Sequence, residues 1–316
     1  MLDNDAMPPA SQSKGMRRRF RRGVFVVPSL LTTGNIFCGF YSIMESLAGA
    51  QSLSLGELAT AAEHFDRAAI NIGFSFLFDG LDGRIARMTG ATTEFGLELD
   101  SLADVLSFGI APALLAFTWG YGESAELHKA AWMVSFLFVI CGALRLARFN
   151  VQARHPKPSL PPKNLKADKK AFVGMPIPVG AALIAAIVHF SPTPIYHIGP
   201  FQPEILGRTL HIDGQAFAIA LLVLVTCLAF LMVSTIRYAS FKGAGARKYH
   251  PRVLILGLAL CVVTVWFYSR YALLLFAAAY VAQGVIGKLW SAAGWRRRVA
   301  AKQARLELDG EAHESN

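Results

Sequence analysis

Charged side chains are scarce in this chain. Asp, Glu, Lys and Arg make up 16% of its 316 residues, against about 25% in an ordinary soluble domain. That shortage, with 54% hydrophobic residues and a mean hydropathy of +0.42, excludes a freely soluble globular protein. Cysteine is scarce too. Cys38, Cys141, Cys227 and Cys261 lie singly inside apolar runs, and no C-x2-C pair occurs. A disulfide framework and a thiolate zinc site are therefore excluded, and the four read as small buried hydrophobes. The first apolar run lacks a small-residue cleavage site, so it reads as an uncleaved span rather than a signal peptide. No self-similarity recurs at a period of about 20–50 residues, which excludes a repeat array.

What the chain does have is apolar length. Eight runs approach the ~20 residues that a bilayer-crossing helix needs. They lie near 26–47, 67–87, 94–119, 130–149, 173–190, 216–236, 253–268 and 271–289, the last two joined by a very short turn. Pro112 is expected to kink the third. Lys and Arg crowd the N-terminus (Arg17, Arg18, Arg19, Arg21, Arg22), the 84–87 turn, 145–170, 237–252 and the C-terminal tail. The stretches 49–65, 120–128, 191–214 and 269–270 carry few. This alternation predicts that both termini face the cytoplasm, because basic segments are retained there. The expected fold is all-α, a polytopic membrane helix bundle of about eight transmembrane helices. Residues 1–22 are expected to form a disordered basic arm, 23–290 the membrane domain and 291–316 a cytoplasmic tail. A net charge of +10 suits nucleic acid in principle. Here the basic residues sit at the ends of apolar runs, so anionic lipid headgroups are the expected partner and nucleic acid is not.

One stretch breaks the apolar pattern. It reads Asp79-Gly-Leu-Asp82-Gly83-Arg-Ile-Ala86-Arg87, then Thr93-Glu-Phe-Gly96, then Asp100-Ser-Leu-Ala-Asp104. Asp79 and Asp82 are i, i+3, and Asp100 and Asp104 are i, i+4, so on helices each pair shares a face. Gly83 and Ala86 continue the first stripe beside Arg87, and Gly96 leads the second. Four carboxylates in a low-dielectric setting repel strongly unless a cation lies between them. Hard oxygen ligands without His or Cys point to Mg²⁺ or Mn²⁺. Four of them suit two ions about 3.5–4 Å apart, as in phosphoryl-transfer sites.

The pattern Asp79-x2-Asp82-Gly83-x2-Ala86-Arg87-x8-Gly96-x3-Asp100-x3-Asp104 resembles the CDP-alcohol phosphatidyltransferase signature without a departure. The resemblance implies a membrane enzyme that moves a phosphatidyl group from a CDP-linked lipid to an alcohol and releases CMP. It implies metal ligands at Asp79, Asp82, Asp100 and Asp104, with Asp104 also as the base. The CDP-diacylglycerol contacts it implies are Gly83, Ala86, Arg87, Thr93 and Gly96, with Asn35 on the polar face of the first span. Glycines at 83 and 96 leave room for a nucleotide, and Arg87 offers a fork for a phosphate. Taken alone, Thr93 reads as a helix N-cap.

Three further stretches resemble the phosphatidylserine synthase branch: Asp100 to Pro112, Leu144-Arg145-Leu-Ala-Arg148-Phe-Asn150, and Ser234-Thr-Ile-Arg237-Tyr238. Pro28 to Asn35 also looks like that branch, although Ser29 stands where relatives often carry Asn. L-Serine is then the expected acceptor. Its carboxylate calls for a cation, with Arg145 and Arg148 as first candidates and Asn150 and Arg237 as secondary ones. Direct attack by the alcohol is expected, since no Ser/His or Cys/His pair lies near the aspartates. Two alternatives stay open: another alcohol (glycerol phosphate, inositol or choline), and a divalent-cation or proton-coupled carrier, since intramembrane carboxylates often mark ion paths. The expected location is the bacterial inner membrane with the site facing the cytoplasm, and a homodimer is an admissible assembly.

Overall fold

The computed structural model describes residues 12–89, 93–122, 126–154, 171–198, 204–205, 208–209, 213–239, 257, 259–260, 263–284 and 286–288. Two long helices come first: α1, Gln12–Ser54, and α2, Leu58–Thr89. Small residues let them approach closely. A Cβ on Gly49 would lie 2.8 Å from the Phe65 ring, and buried Ser42 donates to the Ala68 carbonyl at 2.9 Å. The connection expected over 49–65 shrinks to residues 55–57. Residues 12–22, expected as a disordered arm, form the first turns of α1.

Next come α3, Glu94–Asp104, a π-helical turn at Val105–Ile110, and α4, Ala111–Tyr121. Pro112 has no N–H to offer the Phe108 carbonyl. The ladder widens before it, with Ala111 N–H reaching Leu106 O. The disturbance expected at Pro112 takes the form of a π turn. Helix α5 is His128–Arg154, α6 Ile177–Phe190 and α7 Gly214–Val233. Among the described residues the all-α expectation holds apart from two short antiparallel pairs. β1, Ala171–Val173, pairs with β4, Arg237–Ala239, and β2, Glu204–Ile205, pairs with β3, Arg208–Thr209. A last helical stretch covers residues 263–284.

The bundle has two ends, identified by cross-bonds. At one, Asn150 of α5 donates to Ser101 Oγ of α3 at 2.8 Å. At the same end the start of α6 is stitched to the end of α7: Gly174 N–H to Ile236 O, 2.9 Å, and Met175 N–H to Leu231 O, 3.0 Å. At the other end, Trp119 Nε1 donates to Thr193 O at 3.0 Å, and His189 joins Asp66 to Ser269. Between the ends, Phe108, Phe138, Ile177, Ile184, Leu228 and Met232 form the dry core.

Among the described residues, five helices are long and apolar enough to cross a membrane: Glu94–Tyr121, His128–Gln152, Ile177–His197, Gly214–Val233 and Val263–Lys288. Large apolar side chains such as Phe37, Phe40, Trp132, Phe136, Phe230 and Trp266 point outward, which suits lipid and not water. Cys227, expected to be buried, is among the outward-facing residues. The turn expected at 269–270 is absent, because the helix runs through both residues. Ser269 and Tyr271 nonetheless sit at the end away from β4, bonded to His189 and edge-on to Phe190.

Candidate active site

The aspartates gather at the end of the bundle marked by the Asn150–Ser101 bond. α2 delivers Asp79 and Asp82 near its C-terminus, and α3 returns Asp100 within its first two turns. Carboxylate oxygens of Asp79, Asp82 and Asp100 all lie within 4.8 Å of one another. Such proximity is repulsive unless a cation is shared. The donor set fits a hard divalent ion, because every ligand is a carboxylate oxygen and Asp100 Oδ1 is buried with no partner among the described residues. The structure thus converges three of the four expected ligands. Asp104, one turn further along α3, stands outside that triad, also with a buried Oδ1 that has no partner among the described residues.

Thr32 of α1 donates its hydroxyl to Asp82 Oδ2 at 3.0 Å. In the sequence Thr32 stands out only as a polar residue in an apolar run. The bond fixes the orientation of the Asp82 carboxylate. One turn on, Asn35 is fully buried. Its carbonyl accepts from Ser75 at 3.3 Å and Ser107 at 3.0 Å. Both polar atoms of its side-chain amide lack partners among the described residues. The π turn matters here, since it carries Ser107 onto α1. A Cβ on Gly39 would overlap Ser107 backbone, so the two segments touch.

Gly83 is half-buried, and a Cβ there would lie 3.7 Å from both terminal nitrogens of Arg87. The guanidinium therefore lies over the glycine, on the exposed side of the aspartates. Ala86 is half-buried beside it. Thr93 caps α3, accepting from Gly96 N–H at 3.0 Å, which holds Gly96 one turn before Asp100.

The acceptor candidates separate. Arg145 turns inward, with Nε buried and without a partner among the described residues, within electrostatic reach of Asp104. Arg148, three residues on, is exposed. Asn150 uses its amide to tie α5 to α3. Arg237 lies in β4 at the same end, its side chain outside the described residues.

Comparison with known proteins adds three relatives and a family. The sequence pattern of the CDP-alcohol phosphatidyltransferase family matches residues 25–219. The chain is 33% identical over 265 residues to the CDP-diacylglycerol–serine O-phosphatidyltransferase of Helicobacter pylori, covering 83% of this chain and 91% of the relative. It is 31% identical over 222 residues to the archaetidylserine synthase of Methanothermobacter thermautotrophicus, covering 70% and 72%. To the CDP-diacylglycerol–serine O-phosphatidyltransferase of Saccharomyces cerevisiae it is 39% identical over 159 residues, covering 50% and 52%.

Proposed function

Because this chain belongs to the CDP-alcohol phosphatidyltransferase family, we propose that it makes phosphatidylserine from CDP-diacylglycerol and L-serine. The observation carrying this reading is the convergence of Asp79, Asp82 and Asp100, with Arg87 over Gly83 on one side and Arg145 beside Asp104 on the other. Donor and acceptor grips flank one acidic centre. The relatives' names supply serine as the acceptor.

In this reading Asp79, Asp82 and Asp100 hold Mg²⁺ or Mn²⁺, and Asp104 is assigned to help hold a second ion. A bound ion would neutralise charge on the pyrophosphate and on the leaving CMP. Thr32 fixes the Asp82 carboxylate. Arg87 grips a phosphate of the CDP group, while Gly83, Ala86 and Gly96 leave space for the nucleotide. Thr93 and Asn35 complete that side, Asn35 through its unpartnered buried amide. Asp104 accepts the serine hydroxyl proton as the oxygen attacks the phosphatidyl phosphorus. The new P–O bond replaces the one to CMP, which departs. Arg145 holds the serine carboxylate, with Arg148 nearer the surface, Arg237 on the neighbouring β4 and Asn150 as a brace. We place the site at the cytoplasmic surface of a bacterial inner membrane, amid anionic headgroups. α1 and α2 are counted as crossings on length. With the five apolar helices they make seven among the described residues, and the eighth crossing is kept as an expectation, its run at 253–268 lying partly outside them.

The test is CMP release by purified protein in micelles containing CDP-diacylglycerol. Release should require L-serine and a divalent ion, stop in chelator and resume on adding Mg²⁺ or Mn²⁺. Release with glycerol phosphate, inositol or choline but not serine would overturn the acceptor. Full activity in chelator would overturn the metal.

A further inference from the structure

α3, the π turn and α4 form one continuous rod that lies antiparallel to α5, and three contacts fix its register. At the aspartate end, Asn150 Nδ2 donates to Ser101 Oγ at 2.8 Å. Further into the bundle, a Cβ on Gly109 would lie 3.9 Å from Val139 Cγ1. Deeper still, Ser135 Oγ lies 3.5 Å from the Ala113 carbonyl oxygen. Residue numbers rise along one side of this ladder as they fall along the other. By interpolation between the first two rungs, Asp104 lies opposite residues 145–146. Arg145, with its Nε buried, therefore shares a rung with Asp104.

The rung at Asn150 is close to a helix end. α5 stops at Arg154, and Arg148, Phe149, Val151 and Gln152 around Asn150 are exposed. Helix ends with little burial open most easily. Asn150 stands five residues beyond Arg145, about 7.5 Å along the axis. Ser101 stands three residues before Asp104 and so shares its face of α3. The Ser101 hydroxyl donates to Leu97 O at 2.9 Å. Its one proton is committed within α3, which leaves its oxygen to accept from Asn150 and leaves no proton to offer a substrate.

We infer that Ser101 is a positioning residue for the acceptor. Through Asn150 it pins the last turns of α5 to α3, and this holds Arg145 opposite Asp104. The inference rests on the serine reading above. L-Serine carries its carboxylate and its hydroxyl on adjacent carbons. The group that grips the first and the group that takes the proton of the second must therefore keep a fixed spacing. A misplacement of about 1 Å, caused away from the chemistry, can cost on the order of 100-fold.

Steady-state kinetics of Ser101→Ala, with each substrate varied in turn, tests this. Losing the bond should raise the KM for serine about fivefold or more, with the KM for CDP-diacylglycerol held within about twofold. Asn150→Leu removes the other partner and should give the same rise. The double variant should be no worse than either single one, since only one bond is lost. In an Arg145→Gln background, Ser101→Ala should change the serine KM by less than about twofold, because the residue being positioned is gone. An unchanged serine KM in either single variant, equal rises for both substrates, or multiplied effects in the double variant would overturn the assignment. An equal fold-change with and without Arg145 would overturn the route through that arginine. If Ser101→Ala does not fold, Asn150→Leu carries the substrate and background comparisons. The wild-type measurement separates the underlying reading: if CMP release does not depend on serine, that reading fails before any variant is made.

Discussion

Thr32 is 50 residues from Asp82, yet its hydroxyl sits 3.0 Å from that carboxylate. Partners behind a metal ligand typically govern affinity or activity by about 10–100-fold. Thr32→Val keeps the shape and removes the donor. The Mg²⁺ concentration giving half-maximal CMP release should rise by about that factor, while saturating Mg²⁺ recovers most of the rate. A magnesium titration of the variant checks this, and an unchanged midpoint would remove Thr32 from the site. The two arginines of α5 should behave differently although both were equal candidates from spacing. Breaking a buried charged hydrogen bond costs about 2–5 kcal/mol, while an exposed charge contributes about 0–1 kcal/mol. Arg145→Gln should raise the serine KM roughly 30-fold or more, and Arg148→Gln less than about fivefold. Equal effects in both variants would mean that burial does not distinguish them.

At the scale of elements, the decisive features are where helices stop. Gly174 joins β1 to α6 with φ +84°. A Cβ there would collide with Met232 O and lie 3.2 Å from Ser234 O. This glycine lets the start of α6 press against the end of α7. An L-residue in that conformation costs about 1–2 kcal/mol before any clash. Gly174→Ala should therefore lower the thermal midpoint in detergent by several degrees. Gly73 offers the contrast: it is exposed within α2 with nothing within 4 Å of a Cβ. Gly73→Ala should leave the midpoint unchanged or raise it by about 0.5–1 kcal/mol of stability. The reverse order of the two midpoints would refute this account of the joint.

At the scale of the whole molecule, the two ends of the bundle differ in chemistry and should differ in exposure to solvent. Glu57 lies between α1 and α2 at the end away from the aspartates, and Thr89 closes α2 beside them; both are exposed. In a background with the native cysteines replaced, Glu57→Cys should react with a membrane-impermeant maleimide in intact spheroplasts. Thr89→Cys should react only after permeabilisation. The opposite pattern would turn the site to the outer face and contradict the charge distribution that predicts a cytoplasmic one.

The sequence alone determined which carboxylates share a helix face and the helical class. Carboxylate spacing at 79, 82, 100 and 104 depends only on the 3.6-residue period, so the shared faces were legible before any fold was known. Long apolar runs with basic flanks were legible for the same reason, being local in the chain. Tertiary structure decided everything that depends on which helix faces which. It drew three aspartates into one cluster and left Asp104 beside Arg145. It brought Thr32 to Asp82 across 50 residues and Asn150 to Ser101 across 49. It also turned Arg145 inward and Arg148 outward, although both are basic residues at the end of one apolar run. The physical reason is that i, i+3 spacing specifies a direction only to within a helix face. Whether that direction meets a buried carboxylate or open solvent is set by the packing of neighbouring helices, through small residues such as Gly39 and Gly49 and the π turn ahead of Pro112.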